Sequence, residues 1–122
     1  MLLASVASAQ AGCANPQTQA AMTECAGIEY RRADAVMTEA WKATNARMKQ
    51  RDAANPTRGG GFGYAAALLE SQRAWLRFRD TQCVVEGGRY AGGSMQPMVQ
   101  AQCRTRLTRD RTRQLRDMMW QG

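Results

Sequence analysis

The residues of this chain best equipped for chemistry are four cysteines, Cys13, Cys25, Cys83 and Cys103, and they stand in a sequence with no histidine. A catalytic thiolate needs a base to take its proton, most often an imidazole, and none is present. A structural zinc site typically places two of its ligands about two to four residues apart, and no C-x-x-C pair occurs. An even set of cysteines in a short chain points instead to two disulfides. Of the three connectivities, Cys13 with Cys25 and Cys83 with Cys103 joins neighbouring segments and closes two short loops. No metal and no cofactor are expected. Ala11-Gly12-Cys13 also has the form of the end of a lipoprotein cleavage box. Gln10 stands there in place of an aliphatic residue, and lipidation of Cys13 would leave one of the other cysteines unpaired.

The second group with chemical potential is cationic. Seventeen Lys and Arg face ten Asp and Glu, a net charge of +7 carried almost wholly by arginine. Such a field attracts anions, and guanidinium favours planar, bidentate contact with carboxylate or phosphate. Helical projection separates two kinds of arginine. Arg79 and Arg111 fall in the middle of apolar stripes, where an unpaired charge is costly, and Asp34 lies on the flank of a third stripe. A structural ionic network of Asp34, Arg79 and Arg111 is the expectation. Arg106, Arg109, Arg113 and Arg116 project to one outward stripe, a candidate surface for an anion or an acidic partner when it is more than a solvated face. No carboxylate pair sits in a recognisable cleft, so an enzyme is not expected. Gly59 to Gly63 lacks the Lys-Ser/Thr ending of a phosphate loop.

The elements that must position these residues are helices. Turn formers break the chain at Asn55-Pro56 through Gly63 and at Gly87-Gly88 through Gly93. The first helix is capped by Asn15, with Pro16 following, or by Thr18, and runs to about Ala54. Its stripe is Tyr30, Ala33, Met37, Trp41, Thr44 and Met48, at steps of three and four. The second spans about Tyr64 to Val85, with Ala65, Leu68, Leu69, Gln72, Trp75, Leu76, Arg79 and Cys83 on one side. The third starts after Ser94 as cap, tolerates Pro97 in its first turn, and runs to about Trp120 with Cys103, Leu107, Leu115 and Met118 inward. The predicted fold is all-α, an antiparallel three-helix arrangement stapled by two disulfides. Residues 1–9, extending to 12, read as the remnant of a signal peptide ending in the small-x-small Ala7-Ser8-Ala9. Residues 13–122 then form a single domain, periplasmic or secreted in a bacterial envelope and monomeric, with no transmembrane segment.

Taken in order, Thr18-Gln19 through Glu24-Cys25, Tyr30, Ala33-Asp34, Gln72-Arg73-Ala74-Trp75 through Arg79-Asp80, Cys83, Gly93-Ser94, Cys103, Thr108, Arg111 and Leu115 resemble the LprI-like lysozyme inhibitor family. The block with Gln72, Trp75, Arg79 and Cys83 at fixed offsets is the specific part, and Gln72 and Trp75 form the motif core. The chain departs from the family at Met37-Thr38, where Leu-Asn is usual, at Trp41, where Tyr is usual, and at Ala21, where an acidic residue would complete a capping box with Thr18.

The resemblance implies a binding protein whose partner is lysozyme or a related cell-wall hydrolase, inhibited by blocking its groove. Loops such as Gly59 to Gly63 or Arg89 to Ser94 are the segments able to enter such a cleft. A common lysozyme is itself strongly basic, so a partner at +7 meets long-range repulsion. The alternative is a structural or adaptor module that docks on anionic envelope polymers, or on an acidic protein, through the arginine face. Nucleic acid is not an expected partner, because no nucleic-acid module is recognisable.

Overall fold

The computed structural model describes residues 13–120. The leader expected over residues 1–9, or to 12, lies outside the described residues. Three helices run α1 (Gln19–Ala54), α2 (Tyr64–Gly87) and α3 (Gln96–Asp117), with short 3-10 turns at Arg58–Gly60 and Gly88–Tyr90. Among the described residues there is no strand. Consecutive helices reverse direction, and α3 packs most closely on α1 while also lying against α2.

Each terminus of a helix has to satisfy its own free backbone groups. At the start of α1 the Thr18 hydroxyl accepts from the Ala21 N–H at 3.1 Å, so Thr18 rather than Asn15 is the cap. Gly63, at the start of α2, has no side chain to offer, and α1 supplies the cap from 11 positions away. Asp52 accepts from the N–H of Tyr64 at 2.8 Å and of Ala65 at 3.1 Å, which places a carboxylate at the positive end of the α2 dipole. The start of α3 corrects the sequence reading. Met95, not Ser94, occupies the cap position and makes no side-chain cap bond. The Gln96 side chain instead accepts from the Gly92 N–H at 3.1 Å and secures the preceding turn, so Ser94 stays in that turn. α3 also stops at Asp117, short of Trp120, whose carbonyl is taken by Arg47 at 3.1 Å and by Arg51.

The apolar core occupies the half of the bundle nearest the C-terminal end of α1. Met37, Ala40, Met48, Leu68 and Leu115 are buried there, with Trp41, Tyr64, Trp75, Leu76 and Met118 packed around them. Toward the other end the interior of α3 changes character. Its buried face is Ala101, Cys103, Thr105, Thr108, Arg111, Thr112 and Leu115, with Leu107 only half-buried rather than central. Threonine can be hidden in a helix by returning its hydroxyl to the carbonyl four residues back. Thr105 does so with Ala101 at 3.1 Å, and Thr112 with Thr108 at 3.1 Å. Thr44 of α1 spends its hydroxyl across the interface, donating to the Leu115 carbonyl at 2.9 Å.

The polar half of the interior buries little apolar surface, and the covalent bridges lie there. Cys83 and Cys103 join α2 to α3 with Cα atoms 5.5 Å apart, and Cys13 and Cys25 tie the N-terminal segment to α1 at 5.4 Å. All four cysteines are thereby bonded. The bridges close loops of 12 and 20 residues. In the chain-entropy model, loops of this size contribute about 3 kcal/mol each. The Cys83→Ala/Cys103→Ala variant is therefore expected to lose about 3 kcal/mol in urea denaturation; a loss below about 1 kcal/mol would contradict this division of labour.

Candidate functional site

Two buried arginines occupy the middle of the bundle, each 6% exposed. They are solvated by the protein in different ways. Arg79 of α2 donates from Nε to Asp80 at 2.9 Å and from Nη1 to Asp34 of α1 at 3.1 Å, with the Thr108 hydroxyl of α3 at 3.4 Å. Burial opposes its charge, but Asp80, Tyr30 and Asp34 together more than offset that, and its pKa is raised. Arg111 of α3 has no carboxylate among its bonded partners. Its Nε donates to Gln72 Oε1 at 2.9 Å, and its two terminal nitrogens donate to Gln114 at 3.2 Å and Ser71 at 3.1 Å. Burial pushes its pKa down, though from so high a starting point that it stays cationic. Asp34 and Arg79 are thus brought together as an ion pair, and Arg111 stands beside them in a neutral hydrogen-bonded cage.

The aromatic residues link the two cations. The Trp75 ring lies 5.2 Å from the Arg79 guanidinium and 5.9 Å from that of Arg111. Tyr30 continues the series, with Arg79 at 5.3 Å and Arg104 at 6.0 Å. The order Arg104, Tyr30, Arg79, Trp75, Arg111 alternates cation and ring across all three helices. Burial raises the Tyr30 pKa against the opposing pull of Arg79, so its hydroxyl stays protonated. Gln72 has a structural position in this arrangement, since its amide oxygen serves Arg111 while its nitrogen approaches the Met37 sulfur at 3.2 Å. The family resemblance singled out Gln72 and Trp75 together, and here both residues meet Arg111.

On the outside of α3, Arg106, Arg109, Arg113 and Arg116 are exposed. Three of them meet carboxylates. Arg106 holds both oxygens of Glu86 at 2.7 and 2.8 Å, Arg109 reaches Glu29 of α1 at 2.8 Å, and Arg113 pairs with Asp110. The Arg106 bonds hold the Glu86 carboxyl below its ordinary range. Glu29 and Glu86 escaped the sequence reading because they come from other helices, at a register that only packing decides. Between α1 and α2, on the side away from α3, a groove of about 400 Å³ is lined by Trp41, Leu69, Leu76 and Arg73 beside the Asp34–Arg79 pair. Among the described residues no group of three or more His, Cys, Asp or Glu is placed to hold a metal ion, and no helix is long and apolar enough to cross a membrane.

The arrangement is that of a disulfide-stapled three-helix domain. The model of the family described as lysozyme inhibitor LprI matches residues 10–115, which take in all of α1 and α2 and most of α3. The chain belongs to that family. It is also 35% identical over 108 residues to the uncharacterized protein R02472 of Rhizobium meliloti (strain 1021), covering 88% of this chain and 78% of that protein. No solved structure matches. Membership of an inhibitor family fits a protein that works by binding, and family and disulfides together fit an extracytoplasmic one.

Among the described residues the Gln72 amide oxygen is the only hydrogen-bond acceptor of the Arg111 Nε–H. Gln72→Leu would leave that donor buried and unpaired, at a cost of about 1–3 kcal/mol in chemical denaturation. Adding Arg111→Met removes the orphan as well, so the double variant should recover part of the loss; strictly additive single effects would contradict the pairing.

Proposed function

We propose that this protein inhibits a lysozyme-type cell-wall hydrolase in the bacterial envelope, periplasmic or secreted, by seating its α1–α2 turn in the enzyme's substrate groove. The reading rests first on membership of the inhibitor family. The observation that favours this turn is its pair of displayed side chains. Phe62 is 54% exposed, with its ring packed edge-on against Tyr64 at 4.9 Å, and Arg58 is exposed beside it.

The turn is built to hold that display. Gly59, Gly60 and Gly61 all have left-handed backbones, at φ 59°, 74° and 86°, a conformation that side chains oppose. The Arg58 carbonyl accepts from the N–H of Gly61 at 3.0 Å and of Phe62 at 3.0 Å, and Asp52 fixes the exit into α2. A pre-formed turn loses less conformational entropy on binding than a mobile one. Glycosidases of this class work with paired carboxylates in a cleft, which complement an entering guanidinium, and an exposed aromatic beside arginine is the usual composition of a binding hot spot. The Arg89 to Ser94 turn has no comparable exposed aromatic, because Tyr90 is half-buried.

Net charge sets the kinetics. Against a basic lysozyme, the +7 chain is repelled at long range and binds through local contacts. Its association rate should therefore rise, not fall, as salt screens the repulsion. The test is a cell-wall lysis assay with purified oxidised protein against several lysozyme types. Saturable, one-to-one inhibition is expected of at least one type, weakened about tenfold or more by Arg58→Ala/Phe62→Ala at unchanged melting temperature. Absence of inhibition across all types would overturn the reading, and full inhibition by the double variant would overturn the choice of turn.

A further inference from the structure

The outward stripe of α3 does not stand alone. A depression of about 320 Å³ opens between α1 and α3, and the ionisable side chains lining it are Arg32, Arg109, Arg113 and Arg116, with Val36 and Thr112 between them. Four guanidinium groups from two helices therefore surround one concavity with no acidic residue in its wall. Arg32 and Arg116 are exposed and have no carboxylate partner among the described residues. Arg109 and Arg113 also line a second depression of about 320 Å³ further along α3, with their partners Glu29 and Asp110 in its wall, and Arg32 and Arg109 line a third of about 640 Å³ beside the Cys13–Cys25 bridge, where Glu29 again takes part. The shared residues make the three depressions one continuous seam.

The seam's chemistry narrows its ligand. Arg109 to Arg116 spans seven residues of helix, about 10 Å at the helical rise, so charge is spread along a line rather than gathered at a point. A small monoanion would engage only one part of such a line. Carboxylates of this chain already pair with Arg109 and Arg113, so an incoming carboxylate would exchange one partner for an equivalent one. A phosphate group presents more oxygens and can accept from two guanidinium groups at once. Release of condensed counterions from a linear polyanion adds a driving force that single ions lack.

We infer that the α1–α3 seam is a binding site for a linear polymer bearing repeated phosphate groups, with Arg32 and Arg116 as its unpaired anchors. The site is separate from the α1–α2 turn, and its test involves no hydrolase, so it stands or falls independently of the inhibition reading. A protein with both surfaces would be held on anionic envelope material within reach of the enzymes that act there.

The experiment is fluorescence anisotropy of labelled long-chain inorganic polyphosphate with the full oxidised chain, at several salt concentrations. Saturable binding that weakens with salt is expected, and Arg32→Gln/Arg116→Gln should lower affinity about tenfold or more. Arg73→Gln/Arg77→Gln, the same charge change on the exposed face of α2, should lower it less than about threefold. Single variants and melting temperatures show that the loss follows the site rather than the fold. Equal losses in the two double variants would reduce the effect to net charge and overturn the proposal. Competition by polyglutamate as effective as that by unlabelled polyphosphate would overturn the preference for phosphate. Binding to phosphatidylglycerol vesicles without binding to polyphosphate would overturn the linear-polymer assignment.

Discussion

Two permanently charged side chains lie inside a bundle with a small apolar core, and the rest of the structure is arranged around making that tolerable. An isolated guanidinium in such a place costs several kcal/mol. Arg79 is supported by Asp34 and Asp80, Arg111 by Gln72, Gln114 and Ser71, and the Trp75 ring stands between them. These supports come from all three helices, so they form only when the helices share one register. Apolar packing at the α1 C-terminal end would tolerate several registers, because methionine and alanine adapt readily. The arginine–aromatic series is less forgiving and thereby fixes how the helices face one another.

The disulfides and the threonine face of α3 follow from the same constraint. Where the interior must accommodate ion pairs, it has less room for leucine, and hydrophobic burial weakens. Cys83 and Cys103, almost fully buried, join α2 to α3 at that level, and Thr105, Thr108 and Thr112 fill the space with side chains whose hydroxyls are used internally. Thr108 serves both ends, packing inside α3 while accepting from Arg79. Outside, the surface carries an exposed aromatic and arginine on the α1–α2 turn and a line of arginines along α1 and α3, two of them already paired with carboxylates.

Much of this was legible in the residues themselves. Steps of three and four gave the three helices, spacing gave both disulfides, and the central positions of Arg79 and Arg111 in their stripes showed that two cations point inward. What escaped depends on distance between helices. The Asp52 cap of α2, the Glu29 and Glu86 partners of the outward arginines, and the convergence of Arg32 with Arg116 all require a packing register that periodicity along one helix does not contain. The buried threonines did leave a signal, since Thr105, Thr108, Thr112 and Leu115 recur at steps of three and four on the side of Arg111. Threonine's polarity hid it, because a hydroxyl that bonds its own helix behaves as an apolar group. Ser94 misled for the opposite reason: a good capping residue is no guide when a glutamine side chain already holds the turn.

Native-state amide hydrogen exchange of the oxidised protein measures, residue by residue, where the fold is most tightly held. The slowest amides are expected around Trp75 to Arg79 of α2 and Thr108 to Arg111 of α3, opening only with global unfolding. If those amides instead exchanged through local opening while the Met48, Leu68 and Leu115 region stayed protected, the apolar end alone would hold the fold and the buried arginines would be passengers.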